Sequence, residues 1–293
     1  AMLHAHHVAS QPYGILLTLL FTGGLYLRGW LRVRSWYKNR IPAWRAVSLL
    51  LGLFLIWLAV ASPMADAAHE LLTGHMVQHL LLMTFAAPLI WLGEPLIALL
   101  QGMPKNVHEG LAPLRWRPAQ VLGSAIIHPA VCWLGAAGAL IGWHIPQLFA
   151  LGMKSPVWHA MMEASFLVTG LLFWWPVFDP WPSQRNRGWL IIVYLFLATL
   201  PCDILSGFLV FCDRVVYPGY VDSSQPFGLS PLQDQQLAGA LMWTAVTVIY
   251  FIIGGSISVQ LLSPQRSQEN WISQQPAFDS AAPLAAGQRI EVV

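Results

Sequence analysis

The sequence predicts an all-α membrane protein, a polytopic bundle of about seven transmembrane helices embedded in a lipid bilayer. Composition is the first reason. Of the 293 residues, 56% are hydrophobic and 10% are charged, whereas a soluble domain usually carries about 25% charged residues. The second reason is that the apolar residues lie in long runs, and about 20 apolar residues suffice to cross the hydrocarbon core of a bilayer. The third is that the basic residues concentrate in every second connection between those runs.

Seven apolar runs follow one another along the chain, and each predicts one transmembrane helix. They are Tyr13–Leu31, Ala46–Ala61, His75–Leu92, Val121–Trp143, Val157–Phe178, Trp189–Phe211 and Gln235–Leu262. Pro88, Pro176 and Pro201 fall inside these runs and predict kinks or broken turns, which neighbouring helices can accommodate in a membrane.

The distribution of Lys and Arg predicts the orientation of the bundle. Of the 15 basic residues, only Lys154 and Arg214 lie in the connections after the fourth and sixth runs. Because basic connections stay in the cytoplasm, the N-terminus is predicted outside and the C-terminus inside. We therefore expect an extracytoplasmic segment at residues 1–12, a transmembrane domain at 13–262, and a polar, disordered cytoplasmic tail at 263–293.

Polar side chains inside the predicted helices collect toward their outer ends. His75 and His79 are four residues apart at the start of the third run, and His159 and Glu163 repeat that spacing at the start of the fifth. Residues at this spacing share one face of a helix. His144 ends the fourth run at the same predicted depth. Because ionisable groups inside a membrane are costly, their concentration in one layer predicts a functional site.

The residue types in this layer predict a metal site. Imidazole suits copper, zinc, iron or nickel, and a carboxylate can complete or orient the ligand shell. Nearby sulfur favours Cu(I) over zinc or haem iron. The predicted ligands are His75, His79, His144, His159, Glu163 and Asp203, and the possible accessory ligands are Met76, Met83, Cys202 and His69. A simpler interpretation stays open, in which the histidines are interfacial residues, the methionines are packing, and His69 belongs to a solvated loop.

Two familiar sites do not fit this pattern. His75 and His79 have the outer spacing of the zinc-protease motif H-E-x-x-H, but Met76 stands where the catalytic Glu is required. The seventh run contains no Lys, which excludes a retinal Schiff base. The sequence also shows no nucleotide-binding glycine loop and no soluble catalytic domain, so neither an enzyme activity nor a nucleic-acid partner is predicted.

Four blocks of this sequence resemble one known family, the bacterial cytochrome c oxidase assembly factors named CtaG, of the caa-oxidase type. The blocks are Gly74–Met83 with Ala87–Leu89, Trp143–Pro146 with His159–Phe166, Gly170–Pro176, and Asp234–Trp243. They occur in the family's order, and the resemblance covers about 63–262.

The resemblance implies a multi-pass protein of the bacterial cytoplasmic (inner) membrane that is needed to make an active haem-copper oxidase. It implies handling of copper as the task. The expected partners are oxidase subunits, the lipid bilayer and a periplasmic copper donor. The family's polar positions correspond to His75, His79, His144, His159, Glu163 and Asp234, so Asp234 joins the possible accessory ligands. Gln78 and Gln235 are implied to hydrogen-bond the ligands.

Our leading interpretation is a non-catalytic metallochaperone that holds Cu(I) in the outer half of the bundle and passes it to an oxidase subunit. The first alternative is a redox protein in which histidines ligate haem. The second is a copper or zinc permease, although only His128 and Asp203 lie below the outer layer. The third is a scaffold without a ligand, in which the polar cluster is a hydrogen-bonded packing core.

Overall fold

The computed structural model describes residues 11–36, 42–104, 117–178, 188–221 and 227–263. Within these ranges every regular element is a helix, which confirms the predicted all-α fold. Several predicted features lie outside the described residues. They are the tail from residue 264, the N-terminal segment up to residue 10, and the basic residues at 37–41, 105–116 and 179–187. The orientation of the bundle in the membrane stays a prediction.

The described residues form helices of very different lengths. They are α1 Gln11–Trp36, α2 Ala43–Ala61, α3 Pro63–Glu70, α4 Leu72–Leu80, α5 Ala87–Leu92, α6 Pro95–Gly102, α7 Arg117–Ile126, α8 Pro129–His144, α9 Pro146–Lys154, α10 Pro156–Phe178, α11 Gly188–Phe211 and α12 Pro231–Leu262. A π-helical turn at Leu81–Ala86 joins α4 to α5, and a short 3-10 turn lies at Pro218–Tyr220.

Six stretches of the described chain are long and apolar enough to cross a membrane. They are Tyr13–Ser35, Ala43–Ala61, Leu72–Leu92, Pro156–Phe178, Gly188–Phe211 and Pro231–Leu262. A seventh results if α7 and α8 together count as one span. Large apolar side chains such as Phe196 and Phe251 point outward, with 65% and 80% of their surface exposed. This is the surface expected of a bundle whose solvent is lipid.

The fourth predicted helix is divided in the structure. α7 ends at Ile126, α8 begins at Pro129, and the two helices are bent by 57°. Proline disfavours a helical conformation in the residue before it and supplies no N–H. His128 accordingly has extended backbone angles and acts as the N-cap of α8, where its Nδ1 accepts a hydrogen bond from the Ala130 N–H.

Three short helices were not predicted because none contains an apolar run of membrane length. α3, α6 and α9 each begin at a proline, which is well suited to the first turn of a helix. α3 packs against α4, α6 packs against α1, and α9 packs against α10. Two of these helices, α3 and α9, contribute to the candidate site described below.

The third span is continuous but contains the π turn just before Pro88. Pro88 cannot donate a backbone hydrogen bond, so the sequence predicts an irregularity here, and the structure shows it as this widened turn. The Trp174 indole N–H donates to the Met83 carbonyl of the π turn at 2.9 Å. Gly170 on α10 lies against Met83, where an added Cβ would stand 2.9 Å from the Met83 Cα. α10 therefore packs tightly on the π turn.

A glycine contact between α1 and α6 gives a testable expectation. A Cβ added to Gly29 would overlap the Ala98 carbonyl of α6, whereas one added to Gly24, on the same helix, meets nothing within 4 Å. We expect Gly29→Ala to lower the free energy of unfolding by about 1–3 kcal/mol through overpacking. Gly24→Ala should leave it unchanged or raise it slightly. Thermal denaturation of the detergent-solubilised variants measures both, and equal stability of the two would contradict this packing.

Candidate metal centre

Three helices bring the predicted histidine layer together at one end of the bundle, here called the histidine end. α4 supplies His75 and His79, the end of α8 supplies His144, and the start of α10 supplies His159 and Glu163. All five residues are buried, with exposed fractions between 0% for His75 and 9% for His159. Such burial is unusual for ionisable side chains that lack partners, so the hydrogen bonds of each one matter.

His75 and His79 contact each other directly. Their Nε2 atoms are 2.8 Å apart, so one ring donates a proton and the other, neutral ring accepts it. The Nδ1 atoms of both rings are buried without a hydrogen-bond partner. The contact between the two rings follows from their i, i+4 spacing, which places both side chains on one face of α4.

His159 lies beside this pair. Its ring centroid is 5.5 Å from that of His75 and 5.0 Å from that of His69 on α3. Both of its ring nitrogens are buried without a hydrogen bond, although Nε2 lies 3.5 Å from Glu163 Oε1. His69 is exposed, so it connects the buried histidines to the surface of the histidine end.

Glu163 is held in place by Gln78. The Gln78 amide donates to the Ala59 carbonyl at the end of α2, at 2.7 Å, and to Glu163 Oε1 at 3.3 Å. Gln78 is 1% exposed, so this side chain ties α2, α4 and α10 together inside the bundle. The hydrogen-bonding role implied for Gln78 by the family resemblance corresponds to this contact.

His144 faces a methionine sulfur instead of another histidine. Its Nδ1 lies 2.6 Å from the Leu140 carbonyl, which can only accept, so Nδ1 carries a proton. In the neutral ring the lone pair is then on Nε2, and this atom lies 3.3 Å from Met76 Sδ. A backbone carbonyl that fixes the tautomer in this way is the usual support for a metal-binding histidine.

Aromatic residues cover the histidines at the end of the bundle. Phe149 of α9 packs against His75 and against Tyr217, with centroid distances of 5.0 and 4.4 Å. The Tyr217 hydroxyl donates to the His144 carbonyl at 2.9 Å, and the Tyr220 hydroxyl donates to the Ala68 carbonyl at 2.9 Å. Burial raises the pKa of both phenols, so they remain protonated donors at neutral pH.

Asp234 lies outside the histidine layer and has a different task. Its carboxylate accepts the backbone N–H groups of Leu72 and Thr73, at 2.7 and 3.1 Å, and the Thr73 hydroxyl at 2.6 Å. The two N–H groups lie in the first turn of α4, where the helix itself provides no acceptor for them. Asp234 on α12 thus caps the helix that carries His75 and His79, and both of its oxygens are occupied.

We expect Asp234→Ala to lower the free energy of unfolding by about 1–2 kcal/mol, because it removes a charged cap at the positive end of a helix. Denaturation of the purified protein in detergent, followed by circular dichroism, measures this loss. Asp213→Ala is the matched control, since Asp213 is exposed in the loop after α11. The same loss in both variants would contradict the capping role.

The remaining predicted ligands lie deeper in the bundle or apart from the layer. Met76, Met83 and Cys202 line a small cavity that also borders His79 and His144. Asp203 does not line this cavity, and its Oδ1 is buried without a hydrogen-bond partner.

Three structural residues were not singled out by the sequence interpretation, namely Phe149, Tyr217 and Tyr220. The available signal was the i, i+3 spacing of the two tyrosines in the connection between α11 and α12. Gln235, which was implied to support ligands, instead accepts from the Val216 N–H at 2.7 Å and donates to the Arg214 carbonyl at 3.1 Å. It therefore anchors the loop that carries the tyrosines.

The side chains of the histidine end meet some of the requirements of a metal site and not others. Among the described residues, no group of three or more His, Cys, Asp or Glu side chains is arranged to hold a metal ion. Four buried imidazole nitrogens nevertheless lack a hydrogen bond, namely Nδ1 of His75, Nδ1 of His79 and both nitrogens of His159. Each neutral ring has one lone pair to offer an ion. Together with the adjacent thioethers, these donors fit a soft ion of low coordination number such as Cu(I).

Comparisons with known proteins place these residues in a family context. A family model described as cytochrome c oxidase caa3 assembly factor matches residues 24–263. An uncharacterized protein of Mycobacterium leprae is 24% identical over 243 residues, which are 80% of this chain and 37% of that protein. An uncharacterized protein of Mycobacterium bovis is 26% identical over 253 residues, 82% of this chain and 37% of its own length. The chain thus spans little more than a third of these curated relatives, and no solved structure matches it.

Proposed function

This chain belongs to the cytochrome c oxidase caa3 assembly factor family, and from that membership we propose that it binds Cu(I) at the histidine end and supplies it to the oxidase. Copper is the cargo in this proposal and not a resident cofactor. His75, His79 and His159 provide the nitrogen ligands, and Glu163 provides a compensating negative charge. The chain itself makes and breaks no covalent bond of a substrate.

The burial of both His159 nitrogens without a hydrogen bond is the observation that carries the proposal. A buried polar group without a hydrogen bond costs about 1–3 kcal/mol. His159 has two such atoms, and His75 and His79 add one each in the same layer. A bound cation would engage the lone pair of one nitrogen of His159 and of one Nδ1 in the His75–His79 pair, whereas a ligand-free scaffold would leave these acceptors unsatisfied.

The position of His69 supports an access route. It is exposed on α3 and its ring lies 5.0 Å from that of His159, which in turn neighbours His75. The predicted orientation places this end of the bundle on the periplasmic side. A periplasmic copper donor could therefore deliver the ion to His69 and His159 without moving it through the membrane.

The alternatives receive less support from the geometry. His75 and His79 point their Nε2 atoms at each other, 2.8 Å apart, which leaves no room for a haem between them. The adjacent cavity has a volume of about 50 Å³, far below the several hundred Å³ of cofactor pockets. For a permease, the cavity beyond the histidines is lined mainly by apolar and sulfur side chains instead of a polar path.

The test is copper content and oxidase assembly measured on the same variants. A strain that lacks the protein is supplied with the wild type, with His79→Ala/His159→Ala, or with His128→Asn as a control. We expect copper and no Soret band in the purified wild type, and lower copper content and lower oxidase activity in the double variant. His128→Asn keeps the α8 cap and should behave as the wild type. Full copper content and normal oxidase activity in the double variant, or an intense Soret band in the wild type, would overturn the proposal.

A further inference from the structure

A small cavity lies immediately inward of the histidine layer, between α4, the π turn, α8, α10, α11 and α12. Its wall contains four sulfur-bearing side chains, Met76, Met83, Cys202 and Met242, and we call it the sulfur cavity. Its volume of about 50 Å³ exceeds that of one water-sized probe, and accommodates one ion but no organic cofactor.

The sulfur atoms come from separate parts of the bundle. Met76 lies on α4 and Met83 in the π turn, Cys202 follows Pro201 on α11, and Met242 lies on α12. Met76, Cys202 and Met242 are at most 4% exposed. Buried methionine and cysteine usually act as adaptable packing. Voids larger than a water molecule are few in a packed core, and these four side chains are among those that line one here.

Two histidines connect this cavity to the layer above it. His144 Nε2 faces Met76 Sδ at 3.3 Å, and its Nδ1 is engaged by the Leu140 carbonyl. His79 also borders the cavity, and its Nδ1 has no hydrogen-bond partner. The Cys202 thiol has only long contacts, 3.8 Å to the Ser206 hydroxyl and 4.0 Å to the Met242 carbonyl.

We propose that the sulfur cavity is a second Cu(I) site, in which thioethers of Met76, Met83 and Met242 and the thiolate of Cys202 bind the ion together with His79 or His144. Thioether and thiolate donors select Cu(I) among the ions that imidazole also binds. As the copper–sulfur bond forms, the Cys202 thiol loses its proton to solvent. The thiolate and the monovalent cation then neutralise each other inside the membrane, where a net charge is costly.

This inference rests on the proposed function and extends it. The exposed His69 and the buried histidines form a nitrogen-rich outer site, and the sulfur cavity forms an inner one. His79 borders the outer site and the inner site, so an ion bound to His79 can exchange between the two sites. The outer site exchanges copper with partners, and the inner site retains it.

The test is anaerobic Cu(I) titration of the full chain in detergent, with copper X-ray absorption of the loaded protein. We expect two ions per chain in the wild type, with nitrogen and sulfur both coordinating. Met83→Leu/Met242→Leu conserves side-chain volume and should leave one ion with nitrogen ligands. Met161→Leu is the control, because Met161 is exposed on α10 and lies outside the cavity.

Cys202→Ala is an independent variant that removes one donor and should weaken the sulfur-bound ion at least 10-fold. His159→Ala should lose nitrogen-bound copper and keep the sulfur-bound ion. Copper bound by nitrogen alone in the wild type would overturn the inner site and leave the proposed function standing. Sulfur coordination unchanged in both Met83→Leu/Met242→Leu and Cys202→Ala would also overturn it, whereas the absence of any bound copper would overturn both proposals.

Discussion

Replacing His79 by alanine is expected to weaken Cu(I) binding by more than about 100-fold. Residues that only support a metal ligand typically contribute 10–100-fold to affinity, so removing a ligand itself should exceed that range. His79 is also the side chain that contacts His75 and borders the sulfur cavity. Competition with a chromophoric Cu(I) chelator, performed anaerobically on the detergent-purified chain, measures the affinity.

Two variants calibrate this result. Gln78→Leu removes the amide that donates to Glu163 and should fall within the 10–100-fold range of a supporting residue. His128→Asn changes an exposed histidine at the break between α7 and α8 and should leave the affinity unchanged. If His79→Ala binds Cu(I) as tightly as His128→Asn, His79 is not a ligand.

Replacing Trp174 by alanine is expected to produce the largest loss of stability, about 3–5 kcal/mol. Trp174 is fully buried at 0% exposure and packs against Phe173, Phe178 and Tyr250 with centroid distances of 5.2 to 5.9 Å. Its indole N–H also donates to the Met83 carbonyl of the π turn. Alanine would leave a cavity and an unpaired carbonyl in the centre of the bundle.

Thermal unfolding in detergent micelles would measure this loss, and two further variants separate its causes. Trp174→Phe keeps an aromatic ring but loses the indole N–H and part of the ring volume, so it should cost about 1–3 kcal/mol. Trp189→Ala, at a residue 61% exposed on α11, should cost little. Equal losses for Trp174→Ala and Trp189→Ala would show that Trp174 does not organise the core.

The long helices could be predicted because composition and length suffice for them. The runs Val157–Phe178 and Trp189–Phe211 differ from α10 and α11 by one residue at the start. The histidine pairs were visible for a similar reason, since i, i+4 spacing is a local property. The π turn was indicated only indirectly, through Pro88.

What depends on contacts between distant segments could not be predicted. Leu72 and Asp234 are 162 residues apart, and nothing local to Asp234 distinguishes a helix cap from a ligand. The contact between His144 and Met76 could not be predicted either, because it depends on the orientation of α8 after the bend that separates it from α7. The role of Phe149 required knowledge of where the short helix α9 folds.

The π turn has a consequence for how this chain tolerates changes in length. A π turn contains one more residue than the α-helical turn that it replaces, so it corresponds to a single-residue insertion in a regular helix. Because the π turn takes up this residue, removing one residue from Leu81–Ala86 would restore an ordinary turn, whereas inserting one between His79 and the π turn would rotate α4 by about 100° relative to α5. His75 and His79 would then face a different neighbour while every ligand remained in the sequence. A functional relative must therefore preserve the number of residues between the histidines and Pro88 as well as the ligand residues themselves.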